Sequence, residues 1–259
     1  MKRVAGIAKA SLAVALALFA FAGARPAAAA EIKGSGSIAY VTRYIWRGQD
    51  LLWNNDPAIQ PSFTFELMKS LSLNIWGSYG FGGPNEKNEL DELDFTLTYS
   101  GEINKDISYS VGHSYYTFHV AGPDESQETF GGLSFPNVPL KPSLTLYGDW
   151  GSDVSRGYYL LLAGSHEIPL AWGLKDAAPA LTLGLSAGYC DGQWSMEPGV
   201  SDLNVGLSLP ITEGKFTITP SLTYTFIPHK ASGAKGETSP PKINTQDEIW
   251  GGVAFGFGF

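Results

Sequence analysis

The segment Ile249-Trp250-Gly251-Gly252-Val253-Ala254-Phe255-Gly256-Phe257-Gly258-Phe259 carries different side chains on its two sets of alternate positions, which we call its parities. One parity holds Ile249, Val253, Phe255, Phe257 and Phe259, and the other holds Gly252, Ala254, Gly256 and Gly258. A period of two residues indicates a β-strand with one apolar face and one face where space is short. Such a strand fits the core of an exported sandwich or the lipid-facing wall of a barrel, so the rest of the chain must decide.

The same alternation recurs along the chain and marks about twelve candidate strands. They lie at 36–47, 57–67, 70–81, 91–100, 106–118, 127–135, 142–150, 157–167, 179–189, 201–209, 215–227 and 247–259. The sixth and eighth have the weakest pattern. Residues 158–162 read YYLLL, apolar on both parities, so the sequence leaves the faces of the eighth strand open.

The connections between these segments alternate in length. Short ones lie at 69–70, 101–105, 136–141 and 210–214, and long polar ones at 48–56, 82–90, 191–200 and 228–246. The connection at 172–178 is an exception of middling length. Short turns at one end and longer loops at the other are typical of an outer-membrane barrel built from hairpins.

The polar parity of the strands carries mostly Ser, Thr, Gly and Asn, with few full charges. A sandwich face in contact with water would carry many Lys and Glu, whereas this composition suits a confined lumen. No apolar run after residue 30 approaches the roughly 20 residues that a membrane helix needs. The sequence therefore predicts an all-β fold, a transmembrane antiparallel up-and-down β-barrel of about 12 strands.

The first 30 residues have the features of a cleavable signal peptide. They combine a basic start, an apolar run at 10–21 and the small-residue exit Ala28-x-Ala30. We therefore expect a signal peptide at 1–30 and the barrel at 31–259. Removal of the signal leaves 13 basic and 25 acidic residues, a balance of −12. This balance argues against nucleic acid as a partner, because phosphate binding needs basic patches.

The terminal strand resembles the C-terminal strands of bacterial outer-membrane proteins. This resemblance implies that Phe255, Phe257 and Phe259 form an assembly signal for the barrel-assembly machinery. We expect export through the signal peptide to the Gram-negative outer membrane, with membrane lipid and lipopolysaccharide as partners.

Charged and aromatic residues on the polar parity are candidates for lining the lumen. They are Arg43, Arg47, Glu66, Trp76, Asp94, Asp149 and Asp202. The two arginines, four apart on the first strand, would face the acidic residues across the lumen and set a field that tunes ion selectivity. The same charges could equally form ion pairs that brace or plug the barrel, and both interpretations stay open. We interpret Trp76 as filling the lumen rather than stacking on a ligand.

Aromatic residues at strand ends are candidates for the girdles at the membrane interfaces. We expect Tyr44, Trp46, Tyr79 and Phe81 at one interface, and Phe216 and Phe259 at the other.

No pattern predicts catalytic, cofactor-binding or metal-binding residues. Outer-membrane phospholipases and lipid A deacylases use a His-x-Ser pairing, but the residues two places after the four histidines are Tyr115, Ala121, Ile168 and Ala231. Cys190 is the single cysteine, which excludes an intramolecular disulfide. We therefore expect neither enzymatic activity nor a cofactor.

The N-terminal part of the barrel resembles the TorF-type family of bacterial outer-membrane proteins, which are named as porins without an assigned solute. The matching residues are Tyr44, Arg47, Gly48, Pro57, Ala58, Gln60, Trp76, Gly77 and Ser78. The pattern departs at Thr42-Arg43, where an acidic residue is common, and at Pro61, where glycine is usual. The resemblance implies a barrel and a channel, and it brings no substrate or catalytic residue.

The sequence leaves three candidate functions. The first is a channel, or porin, for small hydrophilic solutes or ions. The second is a closed structural or adhesive barrel whose outer loops bind a partner, and the third is an outer-membrane hydrolase, which lacks its motif.

Overall fold

The computed structural model describes residues 33–52, 54–83, 86–120, 125–153, 155–170, 179–228 and 247–259. The predicted signal peptide at 1–30 lies outside these ranges and stays a prediction. Within the described ranges, no helix is long and apolar enough to span a membrane.

Twelve long strands, labelled β1 to β12, make up the described part of the chain. They are β1 (Gly34–Val41), β2 (Ala58–Met68), β3 (Leu71–Gly82), β4 (Lys87–Asn104), β5 (Ile107–Phe118), β6 (Glu125–Ser134), β7 (Ser143–Asp149), β8 (Gly157–Pro169), β9 (Ala180–Asp191), β10 (Gly199–Ser208), β11 (Phe216–Phe226) and β12 (Glu248–Gly258). Each one overlaps one of the twelve segments that alternation predicts. Shorter elements are the strands Ile45–Trp46, Gln49–Asp50 and Ile211–Glu213 and the 3-10 turn Gln193–Ser195.

The sheet closes on itself. Each strand pairs antiparallel with the next, and β12 pairs with β1 from Ser35 opposite Gly258 to Val41 opposite Gly252. Closure removes the open edges that hydrocarbon cannot satisfy. The predicted twelve-stranded up-and-down barrel is confirmed.

Aromatic rings reinforce the seam between β1 and β12. The ring of Phe257 lies over Gly36, where a β-carbon would collide with it, and Phe259 lies in the same way over Gly34. The alternate glycines of β1 therefore make room for the aromatic residues of β12.

Antiparallel pairing divides the connections between two ends of the barrel. The loop end carries the connections 42–57, 83–86, 119–124, 150–156, 192–198 and 227–247. The turn end carries the connections 69–70, 105–106, 135–142, 170–179 and 209–215.

The pairing register shows which side chains of β8 point into the lumen and which point outward, a question that the sequence left open. Tyr159 lies opposite Tyr147 and Cys190 and is 3% exposed, so its parity faces inward. Tyr158 and Leu162, on the other parity, are exposed on the outer wall. The outer wall is thus apolar, as a lipid-facing surface requires.

The first strand is shorter than predicted. It ends at Val41 rather than at residue 47, and the chain then turns into the barrel. The prediction that Tyr44 and Trp46 belong to an interfacial girdle is therefore wrong. Tyr44 is buried against Leu52 and Ala58, and Trp46 packs against Trp194 inside the loop end.

Candidate functional site

The connection after β1 forms a small hairpin, residues 44–51, which we call the inner hairpin. Its two short strands, Ile45–Trp46 and Gln49–Asp50, pair around a two-residue turn. The turn residues Arg47 and Gly48 have φ angles of 49° and 79°. Positive φ at both positions is typical of the type I′ turns that match the twist of a β-hairpin. An arginine in this left-handed conformation is uncommon and indicates a function for its side chain.

Buried contacts hold the base of the inner hairpin. Leu52 is 1% exposed, and its side chain occupies the space beside Gly80 that a β-carbon would need. The carboxylate of Asp50 accepts hydrogen bonds from the backbone N–H groups of Leu52 and Asn55, at 3.1 and 2.8 Å. The hydroxyl of Tyr44 donates to Glu92 at 2.8 Å. Burial, together with the charge of Glu92, raises the pKa of Tyr44 well above its usual range, so this hydroxyl stays protonated as a donor.

The tip of the hairpin places the guanidinium of Arg47 in an enclosed cage. Two parallel hydrogen bonds join it to the carboxylate of Glu128, at 2.7 and 2.9 Å, and a third reaches the amide oxygen of Gln193. Its central carbon lies 4.2, 4.3 and 4.6 Å from the ring centroids of Trp46, Tyr159 and Tyr147, respectively. These distances are those of cation–π contacts.

The ion pair in the cage is almost fully removed from water. The side chains of Arg47 and Glu128 are 7% and 1% exposed. Burial by itself lowers the pKa of Arg47, but the charge and hydrogen bonds of Glu128 raise it by more, so the guanidinium stays charged. An arginine fork and a carboxylate in this bidentate geometry make a strong, directional contact.

Groups other than Arg47 hold the walls of the cage in place. Tyr116 and Gln193 donate to the carboxylate of Glu128 at 3.0 and 2.7 Å. The hydroxyl of Tyr159 donates to both oxygens of Asp202, at 3.0 and 3.2 Å.

The connection 192–198, between β9 and β10, packs against the inner hairpin. Its residue Trp194 meets Trp46 edge to face, with centroids 6.0 Å apart, and Phe118 at 5.3 Å. The amide of Gln49 lies 3.3 Å from the sulfur of Met196. The inner hairpin and this connection therefore pack against each other in the loop half of the lumen.

Further carboxylates lie in the same half. Asp149 accepts hydrogen bonds from Ser126 and Ser155, both fully buried. The Oδ1 atom of Asp94 is buried and has no hydrogen-bond partner among the described residues. Among the described residues, buried carboxyl groups therefore outnumber the two arginines in the loop half.

The turn half of the lumen is open by contrast. A cavity of about 690 Å³ lies there, lined largely by small polar side chains. They include Ser100, Ser108, Ser110, Ser134, Ser143 and Thr145. Among the described residues, the lumen thus contains a polar cavity near the turn end and the packed side chains of the inner hairpin near the loop end.

The predicted lumen residues are distributed between the two halves. Arg47, Trp76, Asp94, Asp149 and Asp202 lie in the loop half, on the inner hairpin or on inward positions of the strands. Glu66 lies on an inward position near the turn end and is exposed. Their role in lining a solute path stays a prediction.

The arginines do not have the predicted arrangement. They do not share a strand face, because β1 ends before either of them. Arg43 pairs with Glu248 and Arg47 pairs with Glu128, rather than with Glu66, Asp94 or Asp202.

Sequence analysis missed several residues of the cage, namely Glu128, Tyr147, Tyr159 and Gln193. Glu128 shares its parity with Phe130 and Gly132, so alternation in β6 does not mark it as inward. Gln193 lies in an irregular connection that has no period at all. One signal was available, since Arg47-Gly48 interrupts an otherwise strand-like run with a turn residue.

Among the described residues, no group of three or more His, Cys, Asp or Glu side chains is arranged to hold a metal ion.

A closed twelve-stranded antiparallel barrel with an apolar wall and a polar lumen defines an outer-membrane β-barrel of porin-like fold. A family profile described as "Bacterial protein of unknown function (Gcw_chp)" matches residues 24–227. The match covers well over half of the chain, and the protein belongs to this family.

Solved structures share the fold at low sequence identity. A KdgM porin is 10% identical with a TM-score of 0.55, over 87% of this chain and 99% of that chain. An outer-membrane channel from Pseudomonas putida F1 is 11% identical with a TM-score of 0.53, over 91% and 100%. LpxR from Salmonella typhimurium is 8% identical with a TM-score of 0.51, over 87% and 100%. No curated protein matches the sequence.

Proposed function

We propose that this protein is an outer-membrane channel for small hydrophilic solutes, with the inner hairpin as its constriction. One observation carries the proposal: the part of the lumen that the hairpin does not occupy is a polar cavity of about 690 Å³. A barrel closed for structural reasons alone can fill its interior with strand side chains. Here two connections supply much of the filling, and connections can move without unfolding the barrel.

The same architecture supports a location and an orientation for this channel. The longer connections at the loop end would face outward and the short turns inward, as in outer-membrane barrels. The predicted signal peptide and the terminal Phe255, Phe257 and Phe259 would supply export and assembly. The resemblance to TorF-type proteins, together with the porin and the channel of similar fold, supports a channel as the function.

Planar-bilayer recording of the refolded mature chain tests the proposal. We expect discrete conductance steps from the wild type and larger or longer steps from Arg47→Ala, because this change removes the side chain that anchors the hairpin. Lys141→Ala is the matched control, since it removes a cation from an exposed pair at the turn end that makes no contact with the inner hairpin.

Refolding is verified first by the strand signal in circular dichroism and by heat-dependent gel migration. Folded wild-type and Arg47→Ala proteins that both give no steps at any voltage would contradict a channel.

A second candidate, the closed barrel whose loops bind a partner, is favoured by the depth of burial in the loop half. Glu128 and Gln193 are 0% exposed and Asp202 is 1% exposed. Under this alternative, deleting residues 230–241 abolishes binding to a cell surface, while Arg47→Ala leaves the barrel silent in the bilayer.

A further inference from the structure

The cage around Arg47 belongs mostly to the barrel and not to the hairpin that fills it. Tyr147 lies on β7, Tyr159 on β8 and Glu128 on β6, while Gln193 lies in the connection 192–198. Of the groups that contact the guanidinium, Trp46 alone comes from the hairpin. If the hairpin withdraws, a carboxylate, an amide and two aromatic faces therefore stay behind.

These walls are positioned by contacts that do not involve Arg47. Tyr116 and Gln193 both donate to Glu128, and Asp202 accepts from Tyr159. The empty cage would thus keep its geometry and would contain a buried carboxylate without its cation. A buried charge that loses its partner is strongly unfavourable, so the vacated cage would favour a replacement cation.

The groups around the cage also favour cations over anions. Glu92, Asp94, Asp149 and Asp202 lie in the loop half, and none of them forms a salt bridge with a described lysine or arginine. Carboxyl groups accept hydrogen bonds from a cationic donor, and those that ionise concentrate cations in the lumen.

The shape of the cage narrows the class of cation further. Glu128 presents two oxygens to a flat fork of N–H donors, and rings lie within 5 Å of the central carbon. A guanidinium fits this geometry, because it is planar, donates two parallel hydrogen bonds and stacks on aromatic faces. A primary ammonium is a compact, strongly hydrated point charge and would make fewer of these contacts.

We propose that the cage is a binding site for solutes that carry a guanidinium group, and that Arg47 occupies it as a built-in competitor. A solute of this class binds when the inner hairpin withdraws, and its binding keeps the hairpin displaced. The proposal deepens the channel function and rests on it for transport, whereas binding to the cage can be measured without conduction.

The experiment uses the barrel of Arg47→Ala in detergent with methylguanidinium as the probe. Millimolar methylguanidinium should raise the unfolding temperature of this variant, and an equal concentration of methylammonium should have a much smaller effect. The wild type should respond only at higher methylguanidinium concentrations, because the solute must first displace Arg47 from the cage. Arg47→Ala combined with Glu128→Gln should also show none, since the cage then lacks its charge.

Bilayer recording adds a second measurement on the same proteins. Methylguanidinium should reduce the current through Arg47→Ala, where the carboxylate and two rings hold the cation in the solute path. In the wild type it should lengthen the conductance steps, because bound solute keeps the inner hairpin displaced. If Arg47→Ala refolds poorly, methylguanidinium should raise its refolded yield, and the double variant should not respond.

The outcomes separate the two proposals. Binding without conductance in any variant contradicts the channel and leaves the cage assignment standing. Conductance without binding by Arg47→Ala, an equal response to methylammonium, or an equal response of the double variant would overturn the cage assignment.

Discussion

Replacing Glu128 with glutamine should destabilise the loop half of the barrel more than any exposed charge change. The substitution keeps the shape of the side chain but leaves the guanidinium of Arg47 buried beside a neutral amide. Both members of the pair are at least nine-tenths buried and share hydrogen bonds of 2.7 and 2.9 Å. Breaking such a pair by changing one partner costs about 3–5 kcal/mol.

The structure also sets a limit on this loss. The inner hairpin can leave the lumen and hydrate Arg47, so the free energy of unfolding falls by the smaller of two quantities: the cost of the broken pair and the cost of releasing the hairpin. In the second case, Glu128→Gln should open the loop end and raise the conductance.

Urea unfolding in lipid vesicles, followed by tryptophan fluorescence, measures the first quantity, and bilayer recording detects the second. Glu167→Gln is the control, because Glu167 and its partner Lys141 are about half exposed and such pairs contribute little. Replacing Arg47 and Glu128 together with leucine should recover much of the stability, as apolar residues can replace a buried pair. Refutation would be a Glu128→Gln variant within about 0.5 kcal/mol of the wild type, the range of ordinary surface changes, with unchanged conductance.

Three further results are expected. Glu66→Gln should leave the barrel folded, because the side chain of Glu66 is exposed near the turn end, and should lower the cation-to-anion permeability ratio obtained from reversal potentials; an unchanged ratio would remove Glu66 from the solute path. Gly36→Val should reduce the folded fraction on heat-modifiable gels because its β-carbon collides with the ring of Phe257, whereas Gly256→Ala, with its nearest atoms 3.8 Å away, should fold normally; equal folding of both would contradict the seam described above. Cys190 is fully buried and should react slowly with a maleimide in the wild type but faster in Arg47→Ala, and equal rates would indicate that the cage stays closed without its arginine.

The strands were predictable because each residue on a barrel wall meets one of two very different surroundings. Lipid on one side and a confined lumen on the other impose a period of two, which Phe216 to Phe226 shows as clearly as β12 does. Where both parities are apolar, as at Tyr158 and Tyr159, only the pairing with β7 and β9 decides the faces. Pairing is a property of the whole sheet, so a local pattern cannot supply it.

The inner hairpin was not predictable in the same way. The run from Val41 to Trp46 is rich in β-branched and aromatic residues, which suit a continuing strand and a short hairpin strand equally well. Its turn lacks the usual Asn-Gly or Asp-Gly pair. What decides its position is Arg47, whose partners Glu128 and Gln193 lie 81 and 146 residues away in the sequence. The candidate residues were thus found in part, while the contacts that give them a role depend on the closed barrel.

A reversible lock on the inner hairpin tests most directly whether it controls the lumen. A β-carbon on Gly48 would lie 3.2 Å from that of Asp202 and 3.1 Å from the backbone oxygen of Ser201. A small outward shift of the turn relieves both contacts and brings the two β-carbons to the separation of about 3.5–4.5 Å found in disulfides. The double substitution Gly48→Cys and Asp202→Cys, made with Cys190→Ser, should therefore form a cross-link whose presence mass spectrometry verifies. We expect the oxidised protein to be silent or nearly so in a planar bilayer, and reductant added during recording to restore conductance steps. Equal conductance before and after reduction of a verified cross-link would contradict the inner hairpin as the constriction.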